Sequence, residues 1–434
     1  MTSDYQKNSI SLTGAISMGT GVMIGAGIFA LTGQIAELAG AWFPLSFFVG
    51  AVVTFFSAYS YIKMSNAYPS AGGIAMILEK AYGPGIIAAG AALLMAFSMV
   101  INESLVARTF GTYTLQLFGA GENRVLVPAL GVGLIVFAFL VNISGNRSIG
   151  LFSFVMALMK IGGIALFGIA ALWASGLSFE PATSEVDYPL AGFVASVALS
   201  ILAFKGFTTI TNSGAEIVNP HRNVGRAIMV SISVCVVVYL LVAFAVGSNL
   251  TIPEIIKAKD YSLAQAAKPA LGQTGFYLTI LLAIIATASG LLASVFAVSR
   301  MLAMLTDMKL IPHSHFGMPG RIQKHTLVYT VVVAALLTTF FDLSRIASLG
   351  VFFYLVMDIV IHWGVFRNLR HDIGAHGSIL ISAISLDAIV LAVFAVMKIR
   401  TDPVIVGTAA LAIILVFAFE YWFLSGRAHA DRNR

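Results

Sequence analysis

The sequence predicts an all-α integral membrane protein of twelve transmembrane helices, and three observations point that way. Hydrophobic residues make up 59% of its 434 positions and charged ones 10%, where a soluble domain carries about 25% charged. Polar breaks divide the chain into apolar stretches of about 20 residues, the length that crosses roughly 30 Å of hydrocarbon at 1.5 Å per residue. Two of these stretches, five apart, are interrupted by glycine and polar residues at mid-length.

Taken in order, the twelve spans run 12–35, 41–62, 84–118, 125–144, 148–176, 190–214, 225–249, 272–306, 326–341, 344–366, 376–397 and 403–425. The polar connections at 177–189, 250–271 and 307–325 are the longest, and each is too short to fold alone. Residues 1–434 therefore form one membrane domain. The first fourteen residues lack a basic region, a short apolar core and a cleavage site, so the first span is expected to stay in the mature protein. Cys235 is the only cysteine, which excludes an intramolecular disulfide or a thiolate metal site; in span seven it reads as a small buried hydrophobe.

Lys and Arg flanking spans are retained on the cytoplasmic side. With the N-terminus inside, fifteen of the 25 basic residues fall in cytoplasmic segments and seven on the opposite face. Both termini are thus expected to be cytoplasmic, in the cytoplasmic (inner) membrane, and the net charge of +6 follows from this asymmetry. The basic charge is dispersed over short loops, which argues against nucleic acid.

Span one carries Gly21-Val22-Met23-Ile24-Gly25-Ala26-Gly27-Ile28-Phe29. An unpaired amide costs several kcal/mol in hydrocarbon, so irregular backbone at membrane depth is found facing protein, water or a ligand. The other use of such glycines is close helix packing, which the spacing Gly21 to Gly25 also permits. Span six carries Ala203-Phe204-Lys205-Gly206-Phe207, followed by Thr208, Thr209, Thr211, Asn212 and Ser213. Two discontinuous helices five spans apart predict a transporter built from an inverted repeat. The first repeat is then 12–176, the second 190–370, and 376–425 holds spans eleven and twelve.

After span six, Glu216-Ile217-Val218-Asn219-Pro220-His221-Arg222-Asn223-Val224-Gly225-Arg226-Ala227-Ile228 resembles the cytoplasmic signature of the amino acid-polyamine-organocation (APC) superfamily. The Gly-x-x-x-Gly-small-Gly-Ile-Phe of span one and the aromatic-x-Gly-Phe of span six extend that resemblance over nearly the whole chain. Ala215 stands where an acid is often found, and Gly225 where proline is. The resemblance implies the five-plus-five inverted repeat (LeuT-like) with spans one and six discontinuous, and an amino-acid permease of the plasma membrane. It also implies a binding site at the two interruptions, drawn from Met23, Gly25, Ala26, Gly27, Leu202, Phe204, Lys205 and Gly206. The N–H groups of Ala26 and Gly27 would take the substrate carboxylate, as free donors at a helix N-terminus favour an anion. Carbonyls near Met23, Leu202 and Lys205 would take the ammonium, and Asn102 of span three would line the same cavity.

Ionisable residues inside spans are functional candidates by default. Lys160 falls mid-span, and it matches the fifth-span lysine of proton-coupled APC transporters, whose ammonium stands where sodium-coupled relatives hold sodium. A lysine buried in this way can load and release a proton near neutral pH. Its expected partners are the carbonyl near Gly21 and the hydroxyl of Ser289 or Thr287 in span eight; a permanently charged clamp is the alternative.

Lys205 and Glu103 stand where apolar residues are expected. They either neutralise each other or read the substrate, Lys205 favouring an acidic side chain and Glu103 an amine. Asp358 and His362, four apart in span ten, share a helix face on which a carboxylate orients an imidazole, for a proton relay or a structural bond. His313 and His315 read as solvated loop residues, and Arg108 as part of a gate or an interhelical ion pair. No nucleophile, base and oxyanion arrangement is recognisable, so no enzyme, cofactor or metal site is expected. The partners expected are an amino acid or amine, protons and the lipid bilayer. The function expected is proton-coupled import by alternating access; an amino acid/amine exchanger, a substrate-gated channel and a non-transporting receptor are the alternatives.

Overall fold

A computed structural model describes residues 7–70, 72–144, 149–177, 189–311 and 322–432. Among them the chain is helical, with a single isolated β-bridge between Ile10 and Ile217. The helices are α1 (Leu12–Ala39), α2 (Phe43–Ala67), α3 (Ile74–Tyr82), α4 (Ile86–Gln116), α5 (Leu126–Ser144), α6 (Ile149–Ala174), α7 (Leu190–Phe204), α8 (Thr208–Asn212), α9 (Pro220–Asn249), α10 (Ile252–Lys257), α11 (Ser262–Asp307), α12 (Ile322–Phe340), α13 (Leu343–Gly364), α14 (Gly377–Thr401) and α15 (Pro403–Arg432). Each of the twelve apolar stretches coincides with one of these, the sixth with α7 and α8 together. Ten helical stretches among the described residues are long and apolar enough to cross a membrane, with shorter apolar pieces at Leu12–Gly25 and His325–Phe340. Where lipid cannot hydrogen-bond the backbone, a helix that pairs its own amides is the conformation these runs adopt. Their outer faces leave Trp173, Leu190, Phe340 and Trp422 exposed as an apolar surface suited to lipid.

Caps locate several ends. Ser11 accepts from the Gly14 amide at 3.1 Å to open α1, Pro44 and Pro220 stand in the first turns of α2 and α9, and Thr251 and Glu254 cap α10 reciprocally. The polar connection expected at 250–271 is therefore largely helical. Helix α11 begins ten residues, nearly three turns, before the expected span and kinks where Gly272 takes φ 70° and ψ −165°, a conformation open to glycine.

Two groups of four helices form the centre of the described structure. Helices α1, α2, α7 with α8, and α9 pack on one another, and α4, α5, α11 and α12 do the same; α6 and α13 each touch both groups. Helix α14 lies on α13, α7 and α2, and α15 on α4, α13 and α14.

Two ion pairs tie the groups at opposite ends of α1. Arg300 of α11 donates to both Glu216 oxygens at 2.9 and 2.6 Å, with about a tenth of each side chain exposed. There Ile10 also pairs with the strand-like segment at Ile217, its amide donating to the Glu216 carbonyl at 2.9 Å. At the far end, Lys259 pairs with Glu37 at 2.8 Å, and the Gln34 amide donates to Asp260 at 2.7 Å.

Candidate functional site

The interruption in span six is present. Helix α7 stops at Phe204, a 3₁₀ turn covers Lys205–Phe207, and α8 resumes at Thr208. A cavity of about 20 Å³ opens beside it, lined by Gly27, Asn102, Leu202, Lys205 and Gly206 of the expected residues, together with Val22, Met99, Ala203, Thr208, Thr209 and Ser294. That volume holds about one water, so the helices have closed around the site.

Span one departs from expectation. Helix α1 runs without interruption from Leu12 to Ala39, through all three glycines, so spans one and six are not both discontinuous in this conformation. Glycine costs a helix about 1 kcal/mol relative to alanine, while an unpaired amide in an apolar surround costs several, and continuing the helix is the cheaper outcome. The amides of Ala26 and Gly27 consequently lie inside a helix rather than at a free N-terminus. The glycines serve close approach instead: a Cβ on Gly27 would stand 2.6 Å from Tyr239 Oη and 2.7 Å from the Ala203 carbonyl oxygen. On the opposite side a Cβ on Gly206 would stand 2.7 Å from the Met23 amide nitrogen. Of the carbonyls expected to face an ammonium, Met23 accepts from the Tyr239 hydroxyl at 2.7 Å, and Lys205 from Thr208 at 3.0 Å. Phe204 is buried under the Tyr239 ring, centroids 4.9 Å apart.

Lys205 and Glu103 do not form an ion pair among the described residues. The Lys205 ammonium donates to the Ser98 carbonyl at 2.6 Å and its hydroxyl at 2.5 Å, and lies 5.5 Å from the centroid of the Tyr354 ring. Glu103 is wholly buried, accepts from Ser294 at 3.3 Å through Oε1, and leaves Oε2 without a hydrogen bond. Ser98 lies four residues before Asn102 on α4, so both fall on one side of that helix: Asn102 lines the cavity and Ser98 holds the Lys205 ammonium. That periodicity was the signal for Ser98; nothing local in the sequence marks Tyr239, Tyr354 or Ser294.

Lys160, 2% exposed, donates to the Gly21 carbonyl at 3.2 Å, as expected. A Cβ on Gly25 would stand 3.7 Å from Lys160 Nζ and 3.1 Å from the Ala286 carbonyl oxygen, so the ammonium sits where α1, α6 and α11 meet. The hydroxyl partners expected in span eight are turned away. Thr287 donates to Ala283 at 2.6 Å and Ser289 to Ile285 at 2.7 Å, because a helical hydroxyl readily bonds its own helix four residues back.

Arg108 makes no ion pair among the described residues; it donates to the Thr338 and Phe341 carbonyls at 2.8 and 2.7 Å, capping the C-terminal end of α12. Asp358 and His362 do meet, His362 Nε2 lying 3.5 Å from Asp358 Oδ2, both fully buried. Cys235 is buried, as expected. His313 and His315 lie outside the described residues.

The chain as a whole is similar to known membrane transporters. The sequence model of the family described as amino acid permease matches residues 10–419. The inner membrane transport protein YbaT of Escherichia coli is 30% identical over 96% of this chain and 92% of its own length. The serine/threonine exchanger SteT of Bacillus subtilis is 21% identical over 83% of each chain. The mitochondrial cationic amino acid transporter 3 of Arabidopsis thaliana is 26% identical over 77% of this chain and 58% of its own.

Proposed function

Because the chain belongs to the amino acid permease family, and is therefore a membrane transporter and not an enzyme, we propose that it imports an amino acid together with a proton, across a cytoplasmic membrane in which both termini face the cytoplasm. The observation that carries the proton is the Lys160 ammonium on the Gly21 carbonyl at 3.2 Å. A mobile positive charge in contact with the glycine segment ties protonation of α6 to the conformation of α1.

The proposed cycle uses a five-plus-five inverted repeat. Two groups of four helices, in which α1 and α2 sit with α7–α8 and α9, and α4 and α5 with α11 and α12, are what such a repeat generates. The substrate carboxylate is taken by Ala26 and Gly27 in a state where α1 opens at those glycines, and the ammonium by carbonyls of Met23, Leu202 and Lys205 once Tyr239 and Thr208 release two of them. Rocking one group against the other would break the Arg300–Glu216 tie at one end and the Lys259–Glu37 tie at the other in turn.

Uptake into proteoliposomes tests this. Lowering the outside pH should drive accumulation above the outside concentration in the wild-type protein. Lys160→Ala should abolish that accumulation while leaving exchange of substrate down its gradient. Full pH-driven accumulation by Lys160→Ala would sink the coupling role. Obligatory exchange without net uptake would favour the second reading, an exchanger, which the relation to SteT supports.

A further inference from the structure

We propose that Asp358, His362 and Asp387 form a second proton-binding site, distinct from Lys160, at the joint between α2 and the α13–α14 pair. All three side chains are completely buried, and one nitrogen or carboxylate oxygen from each lies within 4.8 Å of the others. His362 Nδ1 is 2.8 Å from Ser60 Oγ, and Nε2 is 3.5 Å from Asp358 Oδ2 and 3.4 Å from Asp387 Oδ2. Asp358 is further held by α2, accepting from Ser57 at 2.5 Å and from the Tyr61 hydroxyl. Asp387 has no such support: neither of its oxygens accepts a hydrogen bond among the described residues.

Charge arithmetic requires the protons. With both carboxylates ionised and the imidazole neutral the cluster carries −2, with the imidazole protonated −1, and with one more proton on Asp387 it is neutral. A net charge buried without compensation is the costliest of these states, and a protonated Asp387 gains a donor beside groups that accept. The titratable groups facing the cluster do not supply the missing charge. They are Tyr61 from α2 and Tyr354 from α13; Tyr82 of α3 gives its hydroxyl to the Val360 carbonyl instead. The lysine that interacts with Asp358 is Lys205, committed to Ser98 beside the Tyr354 ring. The α7 helix packed on α14 carries no titratable residue.

Proton load and packing are thereby linked. The neutral, doubly protonated cluster is compatible with α2 seated on α13 and α14; loss of a proton leaves a charge that only hydration, and so separation of α2, relieves. Tyr61 extends this to the span-six turn, its ring 5.3 Å from that of Phe207.

The test is spectroscopic and does not depend on transport. Nitrogen NMR of histidine-labelled wild-type protein should show an imidazolium at His362 at neutral pH. Infrared difference spectra should show a protonated carboxyl band that Asp387→Asn removes and Lys160→Ala retains. A neutral imidazole with no protonated carboxyl would overturn the proposal. So would a stoichiometric divalent metal in the purified protein that Asp387→Asn releases. In proteoliposomes, Asp387→Asn, which fixes the neutral form, should lose the alkaline decline of substrate counterflow. An unaltered pH profile beside lowered thermal stability would make the cluster merely structural.

Discussion

The guanidinium of Arg300 grips both carboxylate oxygens of Glu216, at 2.9 and 2.6 Å, with about a tenth of either side chain exposed. This joins the end of α11 to the segment directly after α8. Removing one member of such a buried pair costs about 3–5 kcal/mol, because the other charge is stranded. Arg300→Gln should therefore lower the unfolding midpoint clearly in a fluorescence thermal melt, and Glu216→Gln with Arg300→Gln together less than the sum of the singles. Additive losses would show that the pair is not a unit.

Gly27 allows α1 to touch α7 and Tyr239. In Gly27→Ala the new methyl must displace Tyr239 Oη and the Ala203 carbonyl, 2.6 and 2.7 Å away, an overpacking worth about 1–3 kcal/mol. We expect a lower melting midpoint and a large loss of uptake. Tyr239→Phe in the same background should recover part of the stability, since it removes one of the two obstructing groups. No recovery would mean the backbone contact alone decides.

Substrate preference should be read out by Glu103 and Lys205. A thermal-shift screen over amino acids and amines ranks ligands by how strongly they stabilise the folded protein. If Glu103 Oε2, which has no hydrogen bond, contacts an amine, basic ligands should stabilise the wild type and lose that effect in Glu103→Gln. Stabilisation by glutamate or aspartate, lost in Lys205→Met, would assign the side-chain contact to Lys205 instead.

At the α14–α15 corner the Arg345 guanidinium bonds Asp402 at 2.7 Å and holds its carboxyl below the usual carboxylate range. A depressed folded value means the stabilisation is present above the unfolded value of about 3.9 and lost as pH falls through the lower folded one. Arg345 is 42% exposed and Asp402 21%, so solvent screening limits the pair to within about 1 kcal/mol. Arg345→Gln should lower the melting midpoint slightly at neutral pH and not at all once Asp402 is protonated. An equal loss at both pH values would locate the effect in packing rather than charge.

The sequence by itself determined the helical membrane fold, the interruption of span six and the mid-span position of Lys160, while its placement near Gly21 was what the family resemblance implied. These depend on local facts: runs of apolar residues whose amides must pair within the helix, a Lys-Gly pair that breaks one such run, and an ammonium with no polar neighbour along its own span. Tertiary structure decided the rest. Whether the glycines of α1 open or close depends on what stands against them, and Tyr239 and Ala203 stand close enough to use them as contact surfaces. Whether Lys205 meets Glu103 depends on Ser98, which reaches the ammonium first. Asp387 acquires meaning only beside His362 and Asp358, because a carboxylate from another helix is invisible to any periodicity along a single span.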